Sequence, residues 1–165
     1  MAIKLQENVE LNQDFSQCLL WALKTIKSYG FFTPDSAAAA LGLLPLLKFM
    51  ASYRPISYMN KYYDRWFPNL TVIHLSSKNG HHETLTYLLK LRYSDAKMYC
   101  NLKDIDGTKP IHMAAQNGHL ECVKILINHG SRIDYEGVDG KTPFQLAVQY
   151  GHLEIFQYLM SAYSD

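Results

Sequence analysis

The chain has 165 residues, of which 48% are apolar and 19% charged, and its formal net charge is +1. This length suits one domain with a real core, and the composition excludes a disordered chain. A charge so close to zero, without a basic stripe or tail, argues against a nucleic-acid binder. The three cysteines, Cys18, Cys100 and Cys122, have no regular spacing, which predicts buried thiols in a reducing compartment rather than disulfides.

The first predicted element is a helix between residues 12 and 30. Phe15, Leu19 and Ile26 form an apolar stripe at helical spacing, and Gly30 ends it. The residues before this helix are too polar for a signal peptide. We expect residues 1–32 to form a helix that caps the part of the chain that follows.

The most apolar stretch comes next, at residues 36–51. It is close to the lower length limit of a membrane span, but Pro45 and Lys48 interrupt it. It therefore predicts a pair of buried helices.

An aromatic segment follows at residues 51–70. Tyr58, Tyr62 and Trp66 are spaced as one face of a helix, and Tyr and Trp are frequent in binding hot spots. Two interpretations stay open: these side chains contact a partner, or they pack on the neighbouring helices.

The second half of the chain contains an internal repeat. Residues 109–130 match residues 142–163, with Gly118 and Gly151 in equivalent positions 33 residues apart. Two weaker copies lie upstream and end their first halves at Gly42 and Gly80. Each copy reads as a helix, a tight turn at the glycine and a second helix. The first helix has a threonine in the N-cap position at Thr33, Thr71 and Thr142, and a proline in the first turn at Pro34, Pro110 and Pro143.

These residues resemble the ankyrin repeat, whose pattern is G-x-T-P-L-H-x-A-A-x-x-G-H. The third copy reads GTKPIHMAAQNGH from Gly107, and the fourth reads GKTPFQLAVQYGH from Gly140. Lys109 and Gln145 depart from the pattern, as does Val72 in the second copy. The resemblance implies an all-α ankyrin-repeat solenoid of helix-turn-helix units with short β-hairpin connections and an N-terminal capping helix. The domain would span residues 33–165, with repeats at about 33–70, 71–106, 107–139 and 140–165.

The cluster His81-His82-Glu83 suggests a different kind of site, because His and Glu are both metal ligands and general bases. However, adjacent side chains on a helix point about 100° apart and do not converge on one ion. His81 also shares its repeat position with His119 and His152, which favours a structural role. No phosphate-binding or nucleophile motif occurs. We therefore assign no catalytic, cofactor or metal residue and expect no enzyme; an enzyme or metal-binding protein that uses this cluster or an N-terminal site is the alternative.

The resemblance implies a function in binding another protein through a concave face, which ankyrin stacks form from hairpin tips and first helices. Carried over position by position, this predicted face contains Lys78, Asn79, Lys103, Ile105, Asp106, Thr108, Gln116, Asn117, His129, Glu136, Val138, Asp139, Lys141, Gln149 and Tyr150. Its mixed charges with a few apolar anchors suit a protein partner, not nucleic acid or a membrane.

Two roles are open for such an adaptor or regulator: an inhibitor-of-NF-κB-like protein that masks a partner's surface, or a secreted microbial effector. The expected location is the cytoplasm, or the host-cell cytoplasm or nucleus for an effector. The last helix carries Phe156 and Met160 without a following repeat in the sequence. We therefore expect a monomer or weak self-association through this C-terminal end of the stack.

Overall fold

The computed structural model describes residues 34–53, 70–91 and 95–164. The predicted capping helix, Thr33 and the aromatic side chains of Tyr58, Tyr62 and Trp66 lie outside these residues. The helices are α1 (Pro34–Ala40), α2 (Leu44–Tyr53), α3 (Val72–Lys78), α4 (His82–Lys90), α5 (Ala96–Cys100), α6 (Pro110–Gln116), α7 (Leu120–Asn128), α8 (Pro143–Gln149) and α9 (Leu153–Ser164), with a 3-10 turn at Val138–Gly140.

Eight of these helices form four antiparallel pairs: α1 with α2, α3 with α4, α6 with α7, and α8 with α9. The first helices of successive pairs pack on each other as one row, and the second helices pack as another. We call these the inner row (α1, α3, α6, α8) and the outer row (α2, α4, α7, α9). This arrangement confirms the predicted solenoid of helix-turn-helix units.

The connections between units differ from the β-hairpins that the resemblance implies. No strand occurs in the described residues; the two complete connections are loops closed by backbone bonds, from Asp104 N to Thr108 O (2.9 Å) and from Gly137 N to Lys141 O (2.9 Å). The connection that leads to the first of these loops contains a short helix of its own. This helix, α5, buries Ala96 and Cys100 against the stack.

Two inner helices, α3 and α8, begin as their sequence predicts. The amide N–H of His74 donates to Thr71 Oγ1 (3.4 Å), and Thr71 N–H donates to His74 Nδ1 (3.3 Å). The fourth unit makes the same pair of bonds between Thr142 and Gln145. Both threonines are therefore N-caps, and the residue three positions later completes a reciprocal capping box.

Each inner helix ends at a glycine in the left-handed region. Gly80, for example, has φ +76°, and His81 N–H donates to Ser76 O (2.9 Å) across it. A side chain at this φ is strained, and glycine avoids the strain. The predicted helix stops are confirmed.

The core runs between the two rows. Ala38, Ala114 and Ala147 are fully buried, and such small side chains let neighbouring inner helices approach closely. The outer row contributes larger side chains, including Leu47, Leu85, Leu89, Leu126 and Ile155. The apolar segment at 36–51 is the predicted pair of helices, and none of the helices in the described ranges combines the length and hydropathy of a membrane span.

Two of the cysteines belong to this core. Cys100 and Cys122 are buried and unpaired, as predicted, while Cys18 lies outside the described residues. Burial raises the pKa of each thiol to about 12. Both therefore stay protonated at neutral pH and behave as small apolar side chains.

Candidate functional site

The candidate site consists of the C-terminal ends of the inner helices and the loops beside them. Three pairs of residues occupy equivalent positions on α3, α6 and α8, where the first residue ends the helix and the second is its C-cap. They are Lys78-Asn79, Gln116-Asn117 and Gln149-Tyr150. Five of these side chains are exposed and Gln116 is half-buried. We call this set the polar row.

Hydrogen bonds hold the polar row in place. Asn79 Nδ2 donates to Ala40 O of the preceding unit (3.0 Å), and Gln116 Nε2 donates to the Tyr150 hydroxyl of the following unit (3.0 Å). Asn117 Nδ2 donates to Met113 O within its own helix (2.8 Å). Tyr150 is 48% exposed although its hydroxyl accepts this bond, so much of this large amphipathic side chain is accessible to a partner.

The first loop presents Lys103, Ile105 and Asp106, all exposed, with Ile105 at 63%. The Asp104 carboxylate shapes this loop by accepting from the N–H groups of Asp106 (3.0 Å) and Thr108 (2.7 Å). Burial raises the pKa of Asp104, and these two bonds oppose the rise. Thr108, predicted as a contact residue, is buried in this framework, with only 9% of its surface exposed.

The second loop presents Glu136 and Asp139, which are exposed, and Lys141, which is half-buried. Val138 begins the 3-10 turn, and Asp139 has φ +59°, which is rare for a residue with a side chain. His129 was predicted to belong to the concave face, but it lies at the end of an outer helix. It is the C-cap of α7, where its Nδ1–H donates to Ile125 O (2.8 Å).

A cluster that the sequence did not point to lies between the two loops. The phenol ring of Tyr135 meets three cations: Lys109 Nζ is 3.6 Å from the ring centroid, Lys103 Nζ is 4.3 Å away, and the Arg132 guanidinium is 5.9 Å away. Lys103 also donates a hydrogen bond to the Tyr135 hydroxyl. The only signal in the sequence was Lys109, which stands where the ankyrin pattern has threonine.

The cations of this cluster have different kinds of partner. Arg132 pairs with Asp134 (2.9 Å), whereas Lys109 is only 3% exposed and its Nζ meets the Tyr135 ring and Asn101 Oδ1 (3.3 Å). Burial lowers the pKa of Lys109, and the hydrogen bond from Lys103 lowers the pKa of Tyr135. The ring face thus takes the place of a carboxylate as the partner of a buried ammonium ion.

Asn101 joins this cluster to the stack. Its Nδ2 donates to Lys97 O (2.8 Å) and Gly130 O (2.9 Å), and its Oδ1 accepts from the N–H of Arg132 (3.1 Å). One half-buried amide side chain therefore fixes α5, the end of α7 and the start of the second loop relative to one another.

The histidines act as structural ties. His74 and His112 each accept a backbone N–H at Nδ1, from Thr71 (3.3 Å) and Lys109 (3.2 Å). Through Nε2–H they donate to the next loop, to Thr108 O (3.2 Å) and Tyr135 O (2.8 Å). Each imidazole thus joins one inner helix to the loop of the next unit.

The cluster His81-His82-Glu83 divides between the fold and the solvent. His81 Nε2–H donates to Ala40 O (2.8 Å), while His82 and Glu83 are exposed at the start of α4. Within the part of the chain that the structure describes, no three His, Cys, Asp or Glu side chains come together as metal ligands would.

Comparison with known proteins identifies the same repeat that the sequence pattern indicates. The family model described as ankyrin repeats (3 copies) matches residues 73–165. The nuclear factor NF-kappa-B p105 subunit of Rattus norvegicus is 34% identical over 71 residues, which cover 43% of this chain and only 7% of that relative. A chain in the crystal structure of the yeast ribosomal protein Rps3 in complex with its chaperone Yar1 has the same fold. It superimposes with a TM-score of 0.72 at 24% identity, covering 79% of this chain and 91% of that one.

Proposed function

This chain belongs to the ankyrin-repeat family, and from that premise we propose that it is a non-catalytic protein–protein interaction module, an adaptor or regulator. The observation that supports this best is the polar row, in which equivalent positions of three successive units carry polar side chains, five of the six exposed. With the two loops it forms a mixed-charge surface with two large exposed side chains, Ile105 and Tyr150. Such a surface resembles a protein interface, in which a few apolar or aromatic anchors stand among polar groups.

Of the two roles for such a module, masking of a partner's surface has more support than that of a secreted microbial effector. The curated relative is a subunit of nuclear factor NF-kappa-B, and it is similar over 71 residues of repeats. The comparison covers 7% of that relative, so the masking role rests on this partial sequence similarity alone.

The proposed partner is a protein, and the proposed location is the cytoplasm, or the host-cell cytoplasm or nucleus for an effector. The two buried, protonated thiols of Cys100 and Cys122 support a reducing compartment. For Tyr58, Tyr62 and Trp66 both interpretations stay open, a second contact region or packing on the neighbouring helices, and a Trp66→Ala variant tests the first in the same binding assay.

The proposal is tested by capture of a partner with the intact chain, followed by titration of the purified pair. We expect Tyr150→Ala to weaken binding at least about tenfold, because a central aromatic anchor contributes more than about 1.4 kcal/mol. Tyr163→Ala is the matched control, since Tyr163 is at least as exposed (61% against 48%) but lies on the outer helix α9. Equal affinities for Tyr150→Ala and the intact chain would refute binding through the polar row.

The alternative function, metal binding or catalysis at His81-His82-Glu83, has a direct test. The Nε2 atom of His81 is occupied by the carbonyl of Ala40, so metal ligation at that atom would have to break a bond that joins two units. We expect mass spectrometry of the native protein to show no stoichiometric metal. Zinc at one ion per chain that is lost in His82→Ala would establish the alternative.

The oligomeric state is expected to be monomeric or weakly self-associating through the C-terminal end of the stack. Ile155 and Leu159 of α9 are buried, whereas Met160 is exposed and Phe156 is half-buried. Sedimentation over a range of concentrations separates the two cases.

A further inference from the structure

Three cations share the ring of Tyr135 between the two loops. Lys103 belongs to the first loop, Lys109 is the residue before α6, and Arg132 lies in the connection that follows α7. Lys109 Nζ and Lys103 Nζ lie 3.6 and 4.3 Å from the ring centroid, and the Arg132 guanidinium carbon lies 5.9 Å from it. We call these four residues the cation cluster.

The carboxylate beside this cluster is already paired. Asp134 accepts from Nε (3.2 Å) and Nη2 (2.9 Å) of Arg132. Neither Lys103 nor Lys109 pairs with a carboxylate within the ranges 34–53, 70–91 and 95–164. The positive charge of both lysines is therefore compensated only by the ring and by neutral oxygen atoms.

The cations of the cluster also repel one another. Burial lowers the pKa of Lys109, and the charges of Arg132 and Lys103 lower it further. A ring face attracts a cation through its quadrupole alone, which is a weaker attraction than that of a full negative charge. An anion added next to the cluster would relieve this repulsion.

The cluster also has hydrogen-bond donors for such an anion. Lys103 donates to the Tyr135 hydroxyl oxygen, so the hydrogen of that hydroxyl is left for another acceptor. Lys103 keeps further N–H groups, because an ammonium has three, and the pair with Asp134 leaves Nη1 of Arg132 outside it. Lys103 and Arg132 are exposed, so these donors can be reached from solvent. An acceptor-only group such as a carboxylate fits them.

The surroundings of the cluster favour a carboxylate of a protein over the phosphates of a nucleic acid. The same two loops carry exposed acidic side chains at Asp106, Asp134, Glu136 and Asp139. A nucleic-acid backbone has a negative charge at every nucleotide, so it would set several charges against these acids. A polypeptide can bring one carboxylate to the cluster. Ile105 is 63% exposed two residues after Lys103, and it gives an apolar residue of the same polypeptide a contact.

We infer that the cation cluster binds an aspartate or glutamate carboxylate of the partner protein, held by Lys103, Arg132 and the Tyr135 hydroxyl. Lys109 is buried behind the ring and adds its charge without touching the ligand. The inference rests on the proposed function, because it names the chemistry of the partner: an acidic segment with an apolar residue that contacts Ile105.

A peptide titration tests the site without the partner. The probe is a short polyglutamate peptide, and a glutamine peptide of the same length is its uncharged control. At low ionic strength, where charge interactions are least screened, we expect the glutamate peptide alone to shift the backbone amide NMR signals of residues 103–106 and 132–136. Shifts elsewhere only, or equal shifts with both peptides, would overturn the inference.

The contribution of the cluster is measured by replacing one exposed lysine at a time. We expect Lys103→Gln to raise the dissociation constant of the glutamate peptide at least about fivefold, the factor that two unit charges about 4 Å apart give in water. Lys90→Gln is the matched control, since Lys90 is also an exposed lysine but lies on the outer helix α4. Equal effects of the two variants would show that only net charge attracts the peptide, and would refute a site.

A second variant predicts a change of opposite sign. Asp134→Asn removes the carboxylate that competes for Arg132, so we expect the dissociation constant to fall about twofold or more. Glu121→Gln is its control, because it changes the net charge equally and frees Lys124 on α7 in the same way. An equal gain in both variants, or a loss in Asp134→Asn, would contradict the inference.

Two further measurements separate the possible sources of the anion and the two proposals. Tighter binding of an oligothymidylate than of the glutamate peptide, lost in Lys103→Gln, would assign the cluster to nucleic acid and overturn the inference. In the captured complex, Lys103→Gln should weaken binding and Asp134→Asn should strengthen it. If Tyr150→Ala weakens the complex and neither of these variants changes it, the proposed function stands and this inference is wrong. If both variants act and Tyr150→Ala does not, the cation cluster stands and binding through the polar row is wrong.

Discussion

Replacing His74 by glutamine tests the reasoning about the buried histidines. His74 is fully buried, and its Nδ1 accepts from both the N–H of Thr71 (3.3 Å) and the Thr71 hydroxyl (2.8 Å). A proton on Nδ1 would face the backbone N–H, which can only donate. Burial lowers the pKa of His74 to about 4, from 6.5 for an exposed histidine.

The sign and size of the effect follow from this difference. Between pH 6.5 and 4 the unfolded chain binds a proton at this position and the folded chain does not, so stability falls as the pH is lowered. Between pH 7.5 and 5 the loss from His74 alone is about 2 kcal/mol in the free energy of unfolding. Burial also lowers the pKa of His112, which adds a loss in the same direction.

The His74→Gln variant isolates the first contribution, because His112 is present in both chains. Glutamine is the suitable replacement, since Gln145 accepts the N-cap amide of Thr142 (2.8 Å) at the equivalent position of the fourth unit. Urea unfolding at pH 7.5 and pH 5 should show a decrease in the variant that is smaller by about 2 kcal/mol. Identical pH dependence in the two chains would refute a neutral, buried His74.

Three further outcomes are expected. Gly80→Ala should lower the free energy of unfolding by about 1–3 kcal/mol more than Gly107→Ala, since both glycines have positive φ but only Gly80 has an imidazole 2.6 Å from the added Cβ; urea titration of both variants decides this. Tyr135→Ala should lower the urea midpoint more than Tyr135→Phe, which keeps the ring under Lys109; equal shifts would show that the ring face does not stabilise the ammonium. In a Cys18→Ser background, Cys100 and Cys122 should react with a thiol reagent only at the rate of unfolding, and rapid labelling of the native protein would contradict their burial.

The local features of each unit could be predicted from the sequence because they depend on residues close together in the chain. An N-cap bond joins residues three apart, and a turn glycine is required by its own φ, so Thr71, Thr142 and Gly80 were identified from the pattern alone. The apolar stripes of the outer helices were readable for the same reason. Repetition of the pattern then identified the stack.

Contacts between distant residues were decided only by the tertiary structure. The sequence marked Lys109 as a departure, but its burial depends on Tyr135 from the next loop, 26 residues later. Thr108 carried a contact prediction, yet the Asp104 carboxylate and His74 hold it inside the fold. These placements depend on how the units stack.

The four turn glycines show the same difference between what the sequence and what the structure determines. The sequence alone determined that Gly151 repeats Gly42, Gly80 and Gly118, because identity and spacing are properties of the chain. Only the structure decided that three of these glycines lie under an imidazole and the fourth does not. The difference arises because a stacked repeat is covered by its neighbour, and the last described unit has none.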